Sequence, residues 1–211
     1  MRKIVVLLAA AGLTVVGASG QNLLLNGDFN SPNSGSAPDS WQPWAWNSGW
    51  ANHENNGGVT YDGTYYLVAG APGDGGGGFF QTISASAGLE YNLTVLGGAD
   101  AWWLPTGTMT IFFLDSSDNT LDTATRNTVD PAVYGNNFDI PHPWASYSLT
   151  AIAPAGTTQA KIEFAANNAT GSLWFENASF TVVPEPSVAG LLTLGSTLLI
   201  GYRSRRNAPR A

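Results

Sequence analysis

Tryptophan is the residue type in this chain whose number and spacing most clearly suggest chemistry. Four of the eight tryptophans fall within ten residues, in the run WQPWAWNSGW. Indole faces stack on the apolar faces of sugar rings, while nearby amides and carboxylates bind the hydroxyls. Trp44 and Trp46 are one strand period apart and can share a face. Trp102 and Trp103 form a second aromatic pair, so these four residues are predicted to bind carbohydrate.

Packing is the competing explanation for the aromatic residues. The chain has no cysteine, so an exported fold must rely on large core side chains in place of disulfides. Trp41 and Trp174 are assigned to the core for this reason. The four predicted binding residues, Trp44, Trp46, Trp102 and Trp103, are left open between a binding platform and packing.

Catalytic patterns are sparse in the sequence. There are two histidines and no H-E-x-x-H, G-x-S-x-G or cysteine nucleophile. His53 and Glu54 are adjacent, but no further residue near them has ligand spacing. A pair of carboxylates for glycoside hydrolysis stays an alternative, because acidic residues are numerous. The protein is therefore predicted not to be an enzyme, with a glycoside-active enzyme as the weaker reading.

Both ends of the chain have the pattern of targeting segments. Residues 1–20 begin with Arg2 and Lys3, continue with an apolar run and end in small residues, which is typical of a cleaved secretory signal peptide. An uncleaved N-terminal anchor is the alternative. At the other end, Pro184-Glu185-Pro186 precedes an apolar segment, about 187–202, and the basic residues Arg203, Arg205 and Arg206. As a helix the apolar segment spans about 24 Å, which is short for a permanent membrane anchor.

This order of motif, apolar segment and basic end resembles the PEP-CTERM sorting signal of bacteria. The resemblance implies that residues 183–206 hold the chain transiently in the inner membrane, where an exosortase-type enzyme processes it near Pro184–Pro186. Residues 207–211 follow as a short tail. The expected destination is the cell envelope or surface, or the extracellular polysaccharide matrix.

Between the two signals lies one domain, residues 21–182. Residues 21–183 contain two basic residues, Arg126 and Lys161, and fourteen acidic ones, a formal net charge of about −12. Such a charge argues against nucleic acid and anionic lipid as partners and favours neutral ligands and hard cations.

The rhythm of the domain predicts an all-β fold, a β-sandwich jelly roll of about nine strands. Short runs of β-branched and aromatic residues recur between turn-forming clusters. The candidate strands are Asn22–Asn26, Thr64–Ala69, Phe79–Ser84, Tyr91–Gly97, Thr108–Leu114, Thr120–Thr125, Ala145–Ile152, Gln159–Ala165 and Ser172–Val182. Asp115 to Asn119 are predicted to form a hairpin turn rather than a calcium loop. The glycine-rich run Gly73–Gly78 is predicted to be a flexible connection.

The two ends of the domain bring in a second resemblance. LLLNGDF at Leu23–Phe29 and LWFENASF at Leu173–Phe180 are similar to the opening and closing strands of the galactose-binding-like jelly roll found in many carbohydrate-binding modules. This resemblance implies a structural calcium that ties the first strand to the last. Its ligands here are expected to be Asp28, Asn30 and Glu176.

These observations predict an exported protein whose jelly-roll domain binds neutral carbohydrate. The alternative is a structural matrix protein in which the aromatic residues serve packing or self-association. The expected partners are polysaccharide, the exosortase-type enzyme and, transiently, the inner membrane.

Overall fold

The computed structural model describes residues 20–31, 37–55, 60–62, 64–99, 106–128 and 144–184 of the chain. Within these ranges the secondary structure consists of strands alone. The eight strands are β1 (Gln42–Trp46), β2 (Trp50–Glu54), β3 (Tyr66–Ser84), β4 (Glu90–Ala99), β5 (Thr106–Leu114), β6 (Thr120–Asn127), β7 (Ala145–Ile152) and β8 (Gln159–Val182).

The strands form two antiparallel sheets that share the long strands β3 and β8. The first part of β3 pairs with β2 and with the end of β8, which also pairs with β4 and through it with β7. We call this layer sheet A. The second part of β3 pairs with β1 and with the start of β8, which also pairs with β5 and through it with β6. We call this layer sheet B, and the β-sandwich jelly roll predicted from the sequence is confirmed.

The core lies between the two sheets and follows the alternation of side chains along each strand. Phe79 of β3, Ile162 and Phe164 of β8 and Ile111 of β5 point inward from sheet B and are fully buried. From sheet A the inward residues are Leu67, Leu93, Leu173, Phe175 and Phe180. Trp41 joins this core, as predicted, and its ring lies 5.2 Å from that of Phe29.

The strand predictions were correct where side chains alternate clearly. The segments predicted at Thr64–Ala69 and Phe79–Ser84 both overlap one continuous strand, β3. Those predicted at Gln159–Ala165 and Ser172–Val182 likewise belong to one continuous strand, β8. The prediction that Gly73–Gly78 is a flexible connection was wrong. Gly76, Gly77 and Gly78 pair with β1 on one side and with β8 on the other. The run is a strand because its neighbours supply the hydrogen bonds and the side chains that it lacks.

The strand predicted at Asn22–Asn26 was also wrong. The chain there runs beside the end of β8, but the side chain of Asn22 replaces part of the ladder. Its Nδ2 donates to the carbonyl of Ala178 at 3.1 Å, and its Oδ1 accepts the N–H of Phe180 at 2.9 Å. β1 and β2, in the tryptophan-rich segment, were not predicted as strands.

Candidate functional site

The outer face of sheet B is lined by aromatic, amide and hydroxyl side chains. Residues directly opposite each other in a sheet point to the same side, so the register of β1, β3, β8, β5 and β6 defines this set. The side chains that face away from the core on these strands include Gln42, Trp44, Trp46, Phe80, Thr82, Thr108, Thr110, Phe112, Thr123, Thr125, Asn127, Gln159, Lys161, Glu163 and Asn167. The face therefore combines flat apolar surfaces with hydrogen-bonding groups.

Trp44 and Trp46 lie on the same side of β1, and each indole rests against a glycine of β3. Trp46 pairs with Gly76, and a Cβ on that glycine would lie 2.2 Å from the indole Nε1. Trp44 pairs with Gly78, where a Cβ would lie 3.1 Å from the indole Cε2. The missing side chains leave the space that the two rings occupy. The exposed fraction of Trp46 is 45%, whereas Trp44 is half-buried.

Lys161 is held between two aromatic rings in the middle of the face. Its Nζ lies 4.1 Å from the centroid of Phe112 and 5.4 Å from that of Phe80, within the range of cation–π attraction. Glu163 accepts from the same ammonium at 3.4 Å. The positive charge is thus compensated locally. Next to this group the hydroxyls of Thr110 and Thr125 lie 3.3 Å apart across β5 and β6.

These flanking residues were not identified from the sequence, although a signal was present. In the predicted strand Gln159–Ala165, Lys161 and Glu163 alternate with the apolar Ile162 and Phe164. That alternation places the two charged residues on the face opposite the core. The sequence does not say which other strands share that face.

The residues expected to bind calcium each accept backbone N–H groups. Asp28 Oδ1 accepts from Asn30 at 3.3 Å, and Asn30 Oδ1 accepts from Tyr65 at 3.2 Å. Glu176 is fully buried, and its Oε2 accepts the N–H of Tyr61 at 2.9 Å. Within the described ranges, the structure contains no group of three or more histidine, cysteine or acidic residues that could hold a metal ion.

Asp62 is the acidic residue that interacts with Glu176, and the sequence analysis missed it. Burial raises the pKa of Glu176 to about 7, the N–H of Tyr61 opposes this shift, and the charge of Asp62 adds to it. The pKa of Asp62 is lowered, chiefly by its hydrogen bond with Thr64. Two carboxylates supply charged oxygens that suit a hard cation, but calcium takes six to eight oxygen ligands. The described side chains therefore fit a partial site, and calcium binding stays a prediction.

Several other predicted site residues fall where the structure gives limited information. Trp102 and Trp103 lie outside the described residues, and so do Glu185, Pro186, Arg203, Arg205 and Arg206. Pro184 is exposed and follows Val183, whose N–H donates to the carbonyl of Glu90 at 2.8 Å. In the part of the chain that is described, no helix is long and apolar enough to cross a membrane.

Trp174 and His53 have structural surroundings. Trp174 is buried, as predicted, but on the outer side of sheet A, where its ring lies 6.4 Å from Tyr66. His53 contacts the carbonyl oxygen of Phe29 through Nε2 at 2.8 Å and stacks on Tyr65 at 4.6 Å. Burial lowers the pKa of His53.

Solved structures share this fold at low sequence identity. The enzymatically active domain of tailspike protein 4 from bacteriophage CBA120 gives a TM-score of 0.59 at 18% identity, with 77% of this chain and 21% of that chain covered. This chain thus spans about a fifth of the length of that solved chain. No family model matches the sequence, and no curated protein matches it.

Carbohydrate-binding modules are among these structures. TmCBM61, solved with β-1,4-galactotriose, gives a TM-score of 0.51 at 12% identity, with 77% of this chain and 99% of that chain covered. The CBM22-1 xylan-binding domain of Paenibacillus barcinonensis Xyn10C gives 0.52 at 12% identity, with 79% and 97% covered. This chain therefore shares the jelly-roll fold of carbohydrate-binding modules over nearly their whole length.

Proposed function

We propose that this protein binds neutral polysaccharide on the outer face of sheet B. The observation that carries the proposal is the position of Trp44 and Trp46, side by side on β1 and each over a glycine. Flat indole surface beside amides and hydroxyls suits the apolar faces and hydroxyls of sugar rings. The fold adds support, because one module that shares it was solved with a galactotriose and another is named as xylan-binding.

The charge of the site favours a neutral ligand over an anionic one. The ammonium of Lys161 is already paired with Glu163. Residues 21–183 have an excess of acidic groups, fourteen against two basic ones. The surrounding potential is therefore negative and would repel a polyanion.

Binding to a glycan array by the full chain tests this proposal. The array should contain xylan and β-1,4-galactan as neutral polymers and polygalacturonate as an anionic one. We expect binding to neutral polymers, and we expect Trp46→Ala to weaken it at least about tenfold, as for a tryptophan at the centre of an interface. Ile152→Ala is the matched control, because it removes an exposed apolar side chain from β7 of sheet A.

Two results would contradict the proposal. Equal binding by the parent chain and Trp46→Ala would show that the tryptophan pair is not part of the binding site. A blank array would favour the structural alternative, in which the aromatic residues serve packing or self-association.

We also propose that the protein is exported, sorted by an exosortase-type enzyme and delivered to the cell surface or matrix. The ends of the fold support this. Gly20 lies against Val182, and the last backbone hydrogen bond of the described chain is made by Val183, directly before Pro184. Gly20 and Val182, the described residues nearest the two ends of the domain, are therefore neighbours in the fold.

Mass spectrometry of the protein recovered from the producing cells tests the sorting proposal. The mature form should begin near Gln21 and end near Glu185 or Pro186. An intact C-terminus that retains Arg206 on surface protein would contradict processing and indicate a simple membrane anchor.

A further inference from the structure

A pocket of about 410 Å³ lies where the β5–β6 turn meets β3 and β8. Its size falls within the range of about 300–1,000 Å³ that is usual for small-molecule sites. Leu114 supplies an apolar part of its lining, and the remaining lining residues are polar: Thr82, Asp118, Thr120, Gln159 and Lys161. On β3, Thr82 lies four positions after Gly78, the partner of Trp44, and six positions after Gly76, the partner of Trp46. These separations are about 13 Å and about 20 Å along the strand. The pocket therefore lies apart from the tryptophan pair, although Thr82 and Lys161 of its lining also belong to the outer face of sheet B.

The turn that forms one wall is held in place by its own side chains. Asp115 accepts the N–H groups of Ser117 at 2.8 Å and Asn119 at 2.9 Å. A hydrogen bond from the side chain of Asn119, together with these two backbone bonds, lowers the pKa of Asp115. Asp118 takes up a left-handed backbone conformation with φ of 61°. Its Oδ1 accepts from Gln159 Nε2 at 3.0 Å, which joins the turn to β8. The wall is thus preorganised, and little ordering would be needed on binding.

The polar groups in the pocket include both donors and acceptors. Lys161 is a donor, Asp118 an acceptor, and Thr82 and Thr120 have hydroxyls that do both. Gln159 donates to Asp118 through Nε2, so its Oε1 is the acceptor part of the amide. Asp118 would repel an anionic ligand, and Lys161 would repel a cationic one. A neutral ligand with several hydroxyls satisfies both kinds of group, and the wall formed by Leu114 suits its C–H surface.

We propose that this pocket is a second binding site, which takes a single neutral sugar unit. It does not depend on the tryptophan pair, because its lining comes from the other end of sheet B. The volume of the pocket is that of a small-molecule site, so a monosaccharide is sufficient to occupy it.

NMR titration of the ¹⁵N-labelled full chain with galactose, glucose, xylose and arabinose, one at a time, tests the pocket. We expect at least one sugar to shift the backbone amide signals of Asp118 and Thr120 and the side-chain amide signals of Gln159. Gln159→Ala should weaken this binding about tenfold, the effect of one lost hydrogen bond to a ligand. Thr120→Val, which keeps the shape of the side chain, is the second variant. Asp122→Ala on β6 is the control, because Asp122 does not line the pocket.

The indole N–H signal of Trp46 separates this proposal from the proposed polysaccharide site. Shifts at Asp118 and Thr120 that Gln159→Ala weakens and Asp122→Ala retains support the pocket, even if no polymer binds at Trp46. Shifts confined to Trp46 overturn the pocket and leave the polysaccharide site standing. No shift with any of the four sugars, or equal affinity in Gln159→Ala and the parent chain, also overturns it.

Discussion

Glu176 should make the fold less stable as the pH rises from 5 to 8. The side chain is fully buried in sheet A, and that burial raises its pKa to about 7 from an ordinary value of 4.5. The N–H of Tyr61 opposes the shift, and the charge of Asp62 adds to it. In the unfolded chain the same carboxyl is exposed to water and titrates near its ordinary value.

The direction of the pH dependence is set by the state, folded or unfolded, that binds the proton of Glu176 more tightly. Between pH 4.5 and 7 the folded protein keeps the proton on Glu176 while the unfolded chain loses it, so the free energy of unfolding falls as the pH rises. As the pH rises through and beyond 7, Glu176 becomes ionised in the folded state as well, and the loss is then complete. For these two pKa values the contribution of Glu176 decreases by about 2–3 kcal/mol between pH 5 and pH 8.

Urea unfolding at pH 5, 6, 7 and 8, with EDTA present, measures this effect. The comparison is between the parent chain and Glu176→Gln, which keeps an acceptor for Tyr61 but cannot ionise. His53 titrates in the same window with the opposite sign, because burial lowers its pKa. Its contribution is common to both proteins and cancels in the difference. Relative to the parent chain, the free energy of unfolding of Glu176→Gln should increase by about 2–3 kcal/mol from pH 5 to pH 8.

Glu176→Ala separates charging from hydrogen bonding. It leaves the N–H groups of Tyr61 and Asp62 without their acceptor, so it should be less stable than Glu176→Gln at every pH. If the parent chain and Glu176→Gln depend on pH in the same way, Glu176 does not titrate as a buried group and the reasoning is refuted.

Three further measurements concern calcium, the glycine run and the edge of the sandwich. At pH 8, calcium at 100 times its dissociation constant should stabilise the parent chain by about 2.7 kcal/mol and leave Glu176→Gln unchanged; an unchanged parent chain would contradict a calcium site there. Gly78→Ala should cost about 1–3 kcal/mol, because a Cβ would lie 2.4 Å from the carbonyl oxygen of Phe164, and an unchanged urea midpoint would contradict this. Arg126→Ala should cost about 1 kcal/mol in the same assay by removing the hydrogen bond from β6 to the carbonyl of Ser148 in β7, whereas a loss of zero would show that the edge does not need it.

The sequence predicted the fold wherever side chains reveal the strand period. Met109, Ile111 and Phe113 alternate with outward residues, and Asp115 to Asn119 form the predicted turn. Side-chain periodicity cannot reveal a strand made of glycine, because glycine has no side chain. Whether such a run forms a strand depends on the strands that pair with it. A retrospective signal is the match between tryptophans at 44 and 46 and glycines at 76 and 78, which have the same spacing on paired strands.

The candidate site was predictable only in part for the same reason. Trp44 and Trp46 were identified because their spacing is local. The approach of Asp62 to Glu176 and of Asp118 to Gln159 joins residues far apart in the chain, and depends on how the loops and turns cross the sheets. No pattern in a single sequence encodes those distances.

β8 also has a mechanical consequence. It runs as one strand from Gln159, beside the pocket, to Val182, beside the C-terminal segment, and it is bonded to β3, β4 and β5 along most of its length. If the chain is tethered through its C-terminal end and a polymer holds the outer face of sheet B, tension acts along β8 and loads these bonds in shear. Many hydrogen bonds must then break together before β8 can separate from its neighbours. Under such tension the resistance of the domain is set by its unfolding rate.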